Sequence, residues 1–315
     1  MDTIMKFDKA YSKTLDDCVT IYELRDLIFS EDGDYELSSD LFLCPNHKCR
    51  LEVDNLCALT TFNARSKKYK KTPHFKDKKS TKHWEFCPYD SPEKDIIDRD
   101  PETSHDEGIK YTNHPSEFLL ERKKYVRKKK RDDEGTGDPA DSVQKIKPRK
   151  KTGDSDTKSS PNKTSIFEHI VESFVANKHD RSALKAMPLT IGDLRANYNF
   201  FFKQIRYFED REGLIYWGRV KQIKDYKFSF SVIFEDRVSG HSISAYIPKA
   251  SIADYYKRTY FEEKIREFID LDEDIDCFFL SAYPHLKTVQ HNGKEFEVYD
   301  IEINNLNHFM LRIAE

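Results

Sequence analysis

The sequence predicts an α+β chain, mainly β, and three observations carry that reading. Apolar residues alternate with period two through much of residues 211–315. Cys44, Cys49, His83 and Cys87 stand in two short pairs inside a stretch rich in turn residues. Between these regions, runs such as GTGDPADS and KTGDSDTKSSPNKTS contain almost no apolar clusters. The expected order is a small module over 1–90, a disordered charged linker over 91–163, a helical segment over 164–210 and a five-stranded barrel over 211–315.

Composition agrees with this division. A chain of 315 residues is long enough for two ordinary domains. The hydrophobic fraction of 37% nearly equals the charged fraction of 35%, so part of the chain is expected not to fold. The formal charge of -3 conceals a strong local asymmetry. No apolar run is long enough to cross a membrane, and MDTIMKFDKAYSK lacks an apolar signal core. A soluble, cytoplasmic protein is expected. Six cysteines fit a reducing compartment, where clustering points to a metal rather than to disulfides. Cys18 and Cys277 are isolated in apolar surroundings, and Cys57 is expected to pack as a small apolar residue.

The first module carries the sharpest chemical signal. Cys44-x4-Cys49 and His83-x3-Cys87 are separated by 33 residues. Two short pairs of thiolate and imidazole ligands, brought together by folding, suit a tetrahedral zinc ion. Proline follows both Cys44 and Cys87 and favours tight turns around ligands. Four protein ligands leave no open position, so one structural zinc per chain is expected rather than water activation. His74 and His47 are rival ligands.

Three pieces, LFLCPNHKC, TPHF and HWEFCPY, resemble the amino-terminal zinc-binding segment of the CoiA-like competence nuclease family. The resemblance covers roughly residues 1–90. Members of that family continue into a restriction-endonuclease-like catalytic domain with acidic residues and a lysine on a β-sheet. Here the charged linker follows instead, and the zinc site alone is carried over.

Between the ligand pairs lies a basic loop that includes Lys67, Lys68, Lys70 and Lys71. Further basic clusters run over 122–131 and 145–151. Cations interleaved with Tyr69, Phe75 and Tyr125 suit phosphate contact and base stacking, against the alternative of a solvated charge run. The 122–131 cluster also fits a nuclear-import signal if the host is eukaryotic.

In the helical segment, Ile166, Phe167, Ile170, Val171, Phe174 and Val175 recur at helical spacing, with Ser165 as the expected N-cap. A second helix is expected from Thr190 through Ile205. The barrel strands are expected over 214–221, 227–235, 241–247, 276–283 and 295–303, with a helix over 253–270 between the third and fourth. That order resembles an OB-fold, whose second and third strands commonly face oligonucleotides. Trp217, Arg219, Lys221, Lys227, Ser229, Ser231 and Tyr246 then share one outward face, an aromatic and basic platform for single strands.

The leading expectation is a non-catalytic protein that binds nucleic acid, single-stranded for preference, through two tethered sites, with no small-molecule cofactor. One alternative is a protein-interaction adaptor in a bacterial DNA-processing or defence complex, for which the carboxylate-rich run LDEDID argues. Another is a diverged nuclease, with Asp300, Glu302 and Lys294 as its nearest catalytic set. Phosphate-binding glycine loops, HExxH and GxSxG are absent.

Overall fold

A computed structural model describes residues 6–90, 114–122, 162–209, 213–280, 284–291 and 293–314. Among these residues helices and sheets are both present, with more strand than helix. Most of the expected linker lies outside the described residues, as do the basic clusters from residue 123 onward.

The amino-terminal lobe contains β1 (Lys6–Phe7), β2 (Lys9–Ser12), β3 (Asp17–Thr20), α1 (Ile21–Phe29), β4 (Phe42–Leu43), α2 (His47–Glu52), β5 (Ala58–Phe62) and β6 (His74–Asp77). Its strands form one sheet in the order β1-β6-β5-β4-β2-β3. Helix α1 starts where Thr20 and Glu23 bond each other's backbone N–H groups, a reciprocal cap that satisfies two orphan donors. Ile21 and Leu24 then pack with Phe7, Phe42 and Phe75 beneath the sheet.

The middle of the chain corrects three expectations. Residues 114–122, inside the expected linker, are folded: β7 (Glu117–Phe118) lies between β8 (Lys163–Thr164) and β9 (Pro188–Ile191), with Phe118 buried. Helix α3 (Phe167–Val175) is present, but Ser165 does not cap it; Ile166 holds the cap position and bonds no helix N–H through its side chain. After α4 (Arg181–Ala186), the expected helix from Thr190 is instead a hairpin. Strand β9 returns through β10 (Leu194–Asn197), and Ile191 faces Leu194 across a two-residue turn in which Gly192 has φ +56°. Only α5 (Tyr198–Phe201) is helical there, and β11 (Phe202–Gln204) follows it.

The last region contains β12 (Ile215–Asp225), β13 (Phe230–Val238), β14 (His241–Ile247), α6 (Lys249–Ala253), α7 (Arg258–Ile269), β15 (Ile275–Leu280), β16 (His285–His291), β17 (Lys294–Glu302) and β18 (Phe309–Ile313). The strand order is β16-β17-β14-β13-β12-β15-β18, with β11 parallel to β12. Strands β11, β16 and β18 were not expected. The long β12 serves two neighbours: its first half pairs with β15 and its second half with β13, around an irregularity between Val220 and Gln222. Gly218 permits the close approach there, because a Cβ would meet Ile205 at 2.6 Å and Phe234 at 3.0 Å. Lys227, at φ +74°, turns the chain and delays β13 relative to its expected start.

The inward face reads as expected, with Tyr216, Phe230, Val232, Phe234, Ile243, Ala245 and Ile247 in one core. The opposite face of β12 does not meet solvent at Ile215. That residue is buried with Phe174, Phe202 and Phe278, because α3 and α5 pack on the sheet. Ser229 and Ser231, expected outside, are also buried.

The two lobes dock through buried polar groups. Arg25 donates to Glu168 at 3.0 Å and to the carbonyls of Asn63, Ala64 and Ser66. Tyr69 donates to both Glu168 and Glu172, Thr72 donates to Glu172, and Arg312 donates to Glu172 at 2.9 Å. A second set joins Asp26 to Tyr256, Lys257 and Arg122. The lobes are therefore in direct contact, which a flexible tether alone would not provide.

Candidate metal centre

Each ligand is placed by short-range structure. The β4–β5 pairing continues into a bond from the Cys44 N–H to the Cys57 carbonyl at 2.9 Å. Asn46 caps α2 through the Lys48 N–H, which sets Cys49 on the inner side of that helix. Arg50 closes the turn by donating to the carbonyls of Cys44 and Pro45, with its guanidinium 4.1 Å from the Tyr11 ring centre. Beyond β6, the Lys82 N–H bonds the Leu56 carbonyl and brings the second ligand pair back over the first.

One donor atom from each of Cys44, Cys49, His83 and Cys87 lies within 4.8 Å of every other. The Cys44 and Cys87 sulfurs are 3.6 Å apart, and Cys49 Sγ is 3.7 Å from His83 Nδ1. A tetrahedral ion with metal–sulfur bonds of about 2.3 Å and a metal–nitrogen bond of about 2.0 Å needs edges of roughly 3.5 to 3.8 Å. These two spacings fall in that range. The remaining histidine nitrogen, Nε2, is 3.1 Å from Asp77 Oδ1, the second-sphere carboxylate that orients a metal-binding imidazole. Backbone N–H groups of Asn46 and Trp84 point at the sulfurs of Cys44 and Cys49, at 3.4 and 3.3 Å.

Burial and hydrogen bonding pull the ionisation of these groups in opposite directions. Burial raises the Cys44 thiol well above its usual value and pushes Cys49 up to about 11. Burial also opposes ionisation of Cys87, but hydrogen bonds from Cys49 and the Tyr89 backbone bring it below the usual thiol range. For His83, burial disfavours the charged form, yet the Asp77 hydrogen bond and charge carry its pKa upward. A bound metal ion would take the place of the thiol protons that burial otherwise retains.

The rival ligands are elsewhere. His74 Nδ1 lies 2.8 Å from the Thr72 carbonyl and its ring packs on Phe62. His47 is exposed at the start of α2. Cys57 is fully buried, and its thiol meets the Asp54 carbonyl. Cys277 is buried, whereas Cys18 is exposed rather than enclosed by apolar groups. Asp77 was missed in the sequence; its place six residues before His83, at the end of a strand, was the available signal.

The residues expected to bind nucleic acid are scattered. Lys67 pairs with Glu263 and Glu267, and Lys70 with Glu273, while Lys68 and Lys71 are exposed. Trp217 is half-buried between Phe174 and Phe278, and the Lys178 ammonium sits 4.3 Å from its ring centre. Arg219 is held by Asp274 and Asp276. Lys221 and Lys227 are exposed, and Tyr246, opposite Ser231, is half-buried. Asp300 of the alternative catalytic set accepts from Ser244 and Lys287. Phe228, expected to share the inward face of Phe230, Val232 and Phe234, is instead exposed because it precedes the strand. It flanks Lys227 with Tyr226, which went unnoticed, and its ring has Lys249 Nζ 4.3 Å from its centre.

No family model and no curated protein matches the chain. Among the described residues no helix is long and apolar enough to cross a membrane.

Proposed function

We propose that the chain is a non-catalytic nucleic-acid-binding protein with a zinc-stabilised amino-terminal lobe and an OB-like barrel. Three sulfurs and one imidazole within 4.8 Å of one another favour zinc, and the four-donor set favours a structural role. The barrel reading is supported by its pairings. Strand β12 meets both β13 and β15, β14 meets β17 in parallel, and α6 and α7 connect β14 to β15.

The observation that carries the binding proposal is the tip Tyr226-Lys227-Phe228, between the first two barrel strands. Tyr226 and Phe228 are both 54% exposed, beside Lys227 and Lys249. Loops at that position, together with the neighbouring strand face, are where OB-folds take oligonucleotides. Stacked aromatics with adjacent cations accept any base. The test is a fluorescence titration with labelled single-stranded and duplex oligonucleotides over a salt series. Replacing Phe228 by Ala should weaken single-strand binding by about 1–3 kcal/mol, with a loss that persists at raised salt. An unchanged affinity in a folded Phe228→Ala variant would rule out this tip.

A protein-interaction adaptor is the second reading. The pairing of Lys67, Lys70 and Arg219 with the chain's own carboxylates favours it, because those cations are already engaged.

A further inference from the structure

The junction between the lobes holds a cavity of about 50 Å³. That volume is enough for a few water molecules or one small anion. Its wall includes Asp26, Arg122, Glu168, Lys257, Tyr260 and Lys264. Three cations therefore face two carboxylates, and both carboxylates are already engaged. Asp26 accepts from Tyr256, Lys257 and Arg122, and Glu168 accepts from Arg25 and Tyr69.

Lys264 is the cation left over. It is 8% exposed and projects from α7 into this wall. Among the described residues its ammonium makes no ion pair or hydrogen bond at contact distance; its neighbours are the rings of Tyr260 and Phe268, at 5.6 and 5.8 Å, and its charge is felt by Glu168 across the cavity. Buried ammonium groups are costly unless paired, and native proteins rarely leave them so.

We propose that this cavity binds the phosphate group of a small ligand, with Lys264 as its principal partner and Arg122 and Lys257 beside it. The wall's three cations exceed its two carboxylates by one, and a phosphate supplies the balancing negative charge. Tyr260 and Asn307, also on the wall, carry the neutral donors that a tetrahedral oxyanion accepts from. The proposal is independent of the metal centre and of the Tyr226–Phe228 tip.

The experiment is a thermal-shift and calorimetric titration of the full chain with inorganic phosphate and with adenosine monophosphate, against sodium chloride at equal ionic strength. Wild type should show a saturable rise in melting temperature with at least one phosphate probe and none with chloride. A response to inorganic phosphate alone identifies a free oxyanion as the ligand, and a stronger response to the monoester identifies a phosphorylated metabolite; either supports the site. Lys264→Met should abolish the response. Arg122→Gln, a change at the cavity rim, should weaken binding about tenfold and keeps the test decisive if Lys264→Met does not fold. No specific response in wild type overturns the proposal. So does an equal response in both variants.

Discussion

Glu172 and Arg312 meet at 2.9 Å with 1% exposure each, and the same carboxylate accepts hydrogen bonds from Tyr69 and Thr72 of the other lobe. Burial raises the Glu172 pKa, while Arg312 pulls it down. The pair thus joins the lobes through a charge that depends on its partner. Replacing Arg312 by Leu should destabilise the protein by about 3–5 kcal/mol, because it strands a buried carboxylate. The double change Arg312→Leu with Glu172→Leu should recover a large part of that loss in denaturant melts. Equal losses in the single and double variants would show that the ion pair is not what matters.

The metal centre gives a second expectation. Purified protein should hold about one zinc per chain by elemental analysis, and Cys44→Ser or Cys87→Ser should lose it. Asp77→Ala should keep the fold but lower metal affinity by about 10- to 100-fold in chelator competition, since the imidazole loses its orienting carboxylate. Full affinity in that variant would make Asp77 a bystander.

Much of this was readable in advance, and the reasons differ by element. Ligand pairs five and four residues apart announce themselves because the chemistry is local. The strands holding Val232 and Ile243 do so because alternation survives wherever one face is buried. The hairpin after Thr190 reads as a helix because Tyr198, Phe201, Phe202 and Ile205 recur at helical spacing. The Gly192-Asp193 pair, a two-residue hairpin signal, was the clue. Arg25, Glu168, Glu172 and Arg312 carried no signal at all. Each reads as an ordinary solvated charge until tertiary structure places them together. Phe118 was hidden for a related reason: a two-residue strand in charged surroundings has no periodicity to detect.

Acidification should act through His308. It is 7% exposed, with its ring between Phe118 and Phe167. Burial lowers its pKa, against a hydrogen bond with the Leu120 backbone. The unfolded chain therefore takes up the proton first, near pH 6.5. Its contribution is fully present above that pH and is lost as pH falls toward the depressed folded value, by at most about 1.4 kcal/mol per pH unit. Urea midpoints between pH 7 and pH 5 should fall less steeply in His308→Gln. Parallel slopes for the two proteins would exclude this residue.

Gly218 should tolerate nothing larger. A methyl group there meets Ile205 and Phe234, both buried, so Gly218→Ala should cost about 1–3 kcal/mol. Pairing it with Ile205→Val should return part of the loss in the same melts. An undiminished melting temperature in the single variant would mean that β12 shifts freely.

The buried network also bears on how the chain reaches its final form. Arg25 and Glu168 are 143 residues apart, and Glu172 and Arg312 are 140 apart. Contacts of such separation form slowly, after local hairpins and helices have collapsed. During synthesis at about 5–20 residues per second, Arg25 precedes Glu168 by roughly 7 to 30 s. Until Glu168 follows, the amino-terminal lobe presents a guanidinium edge, held by the carbonyls of Asn63, Ala64 and Ser66, where an apolar residue would present an adhesive patch. The interface is charged on both sides before it closes, so each half remains soluble while it waits for the other.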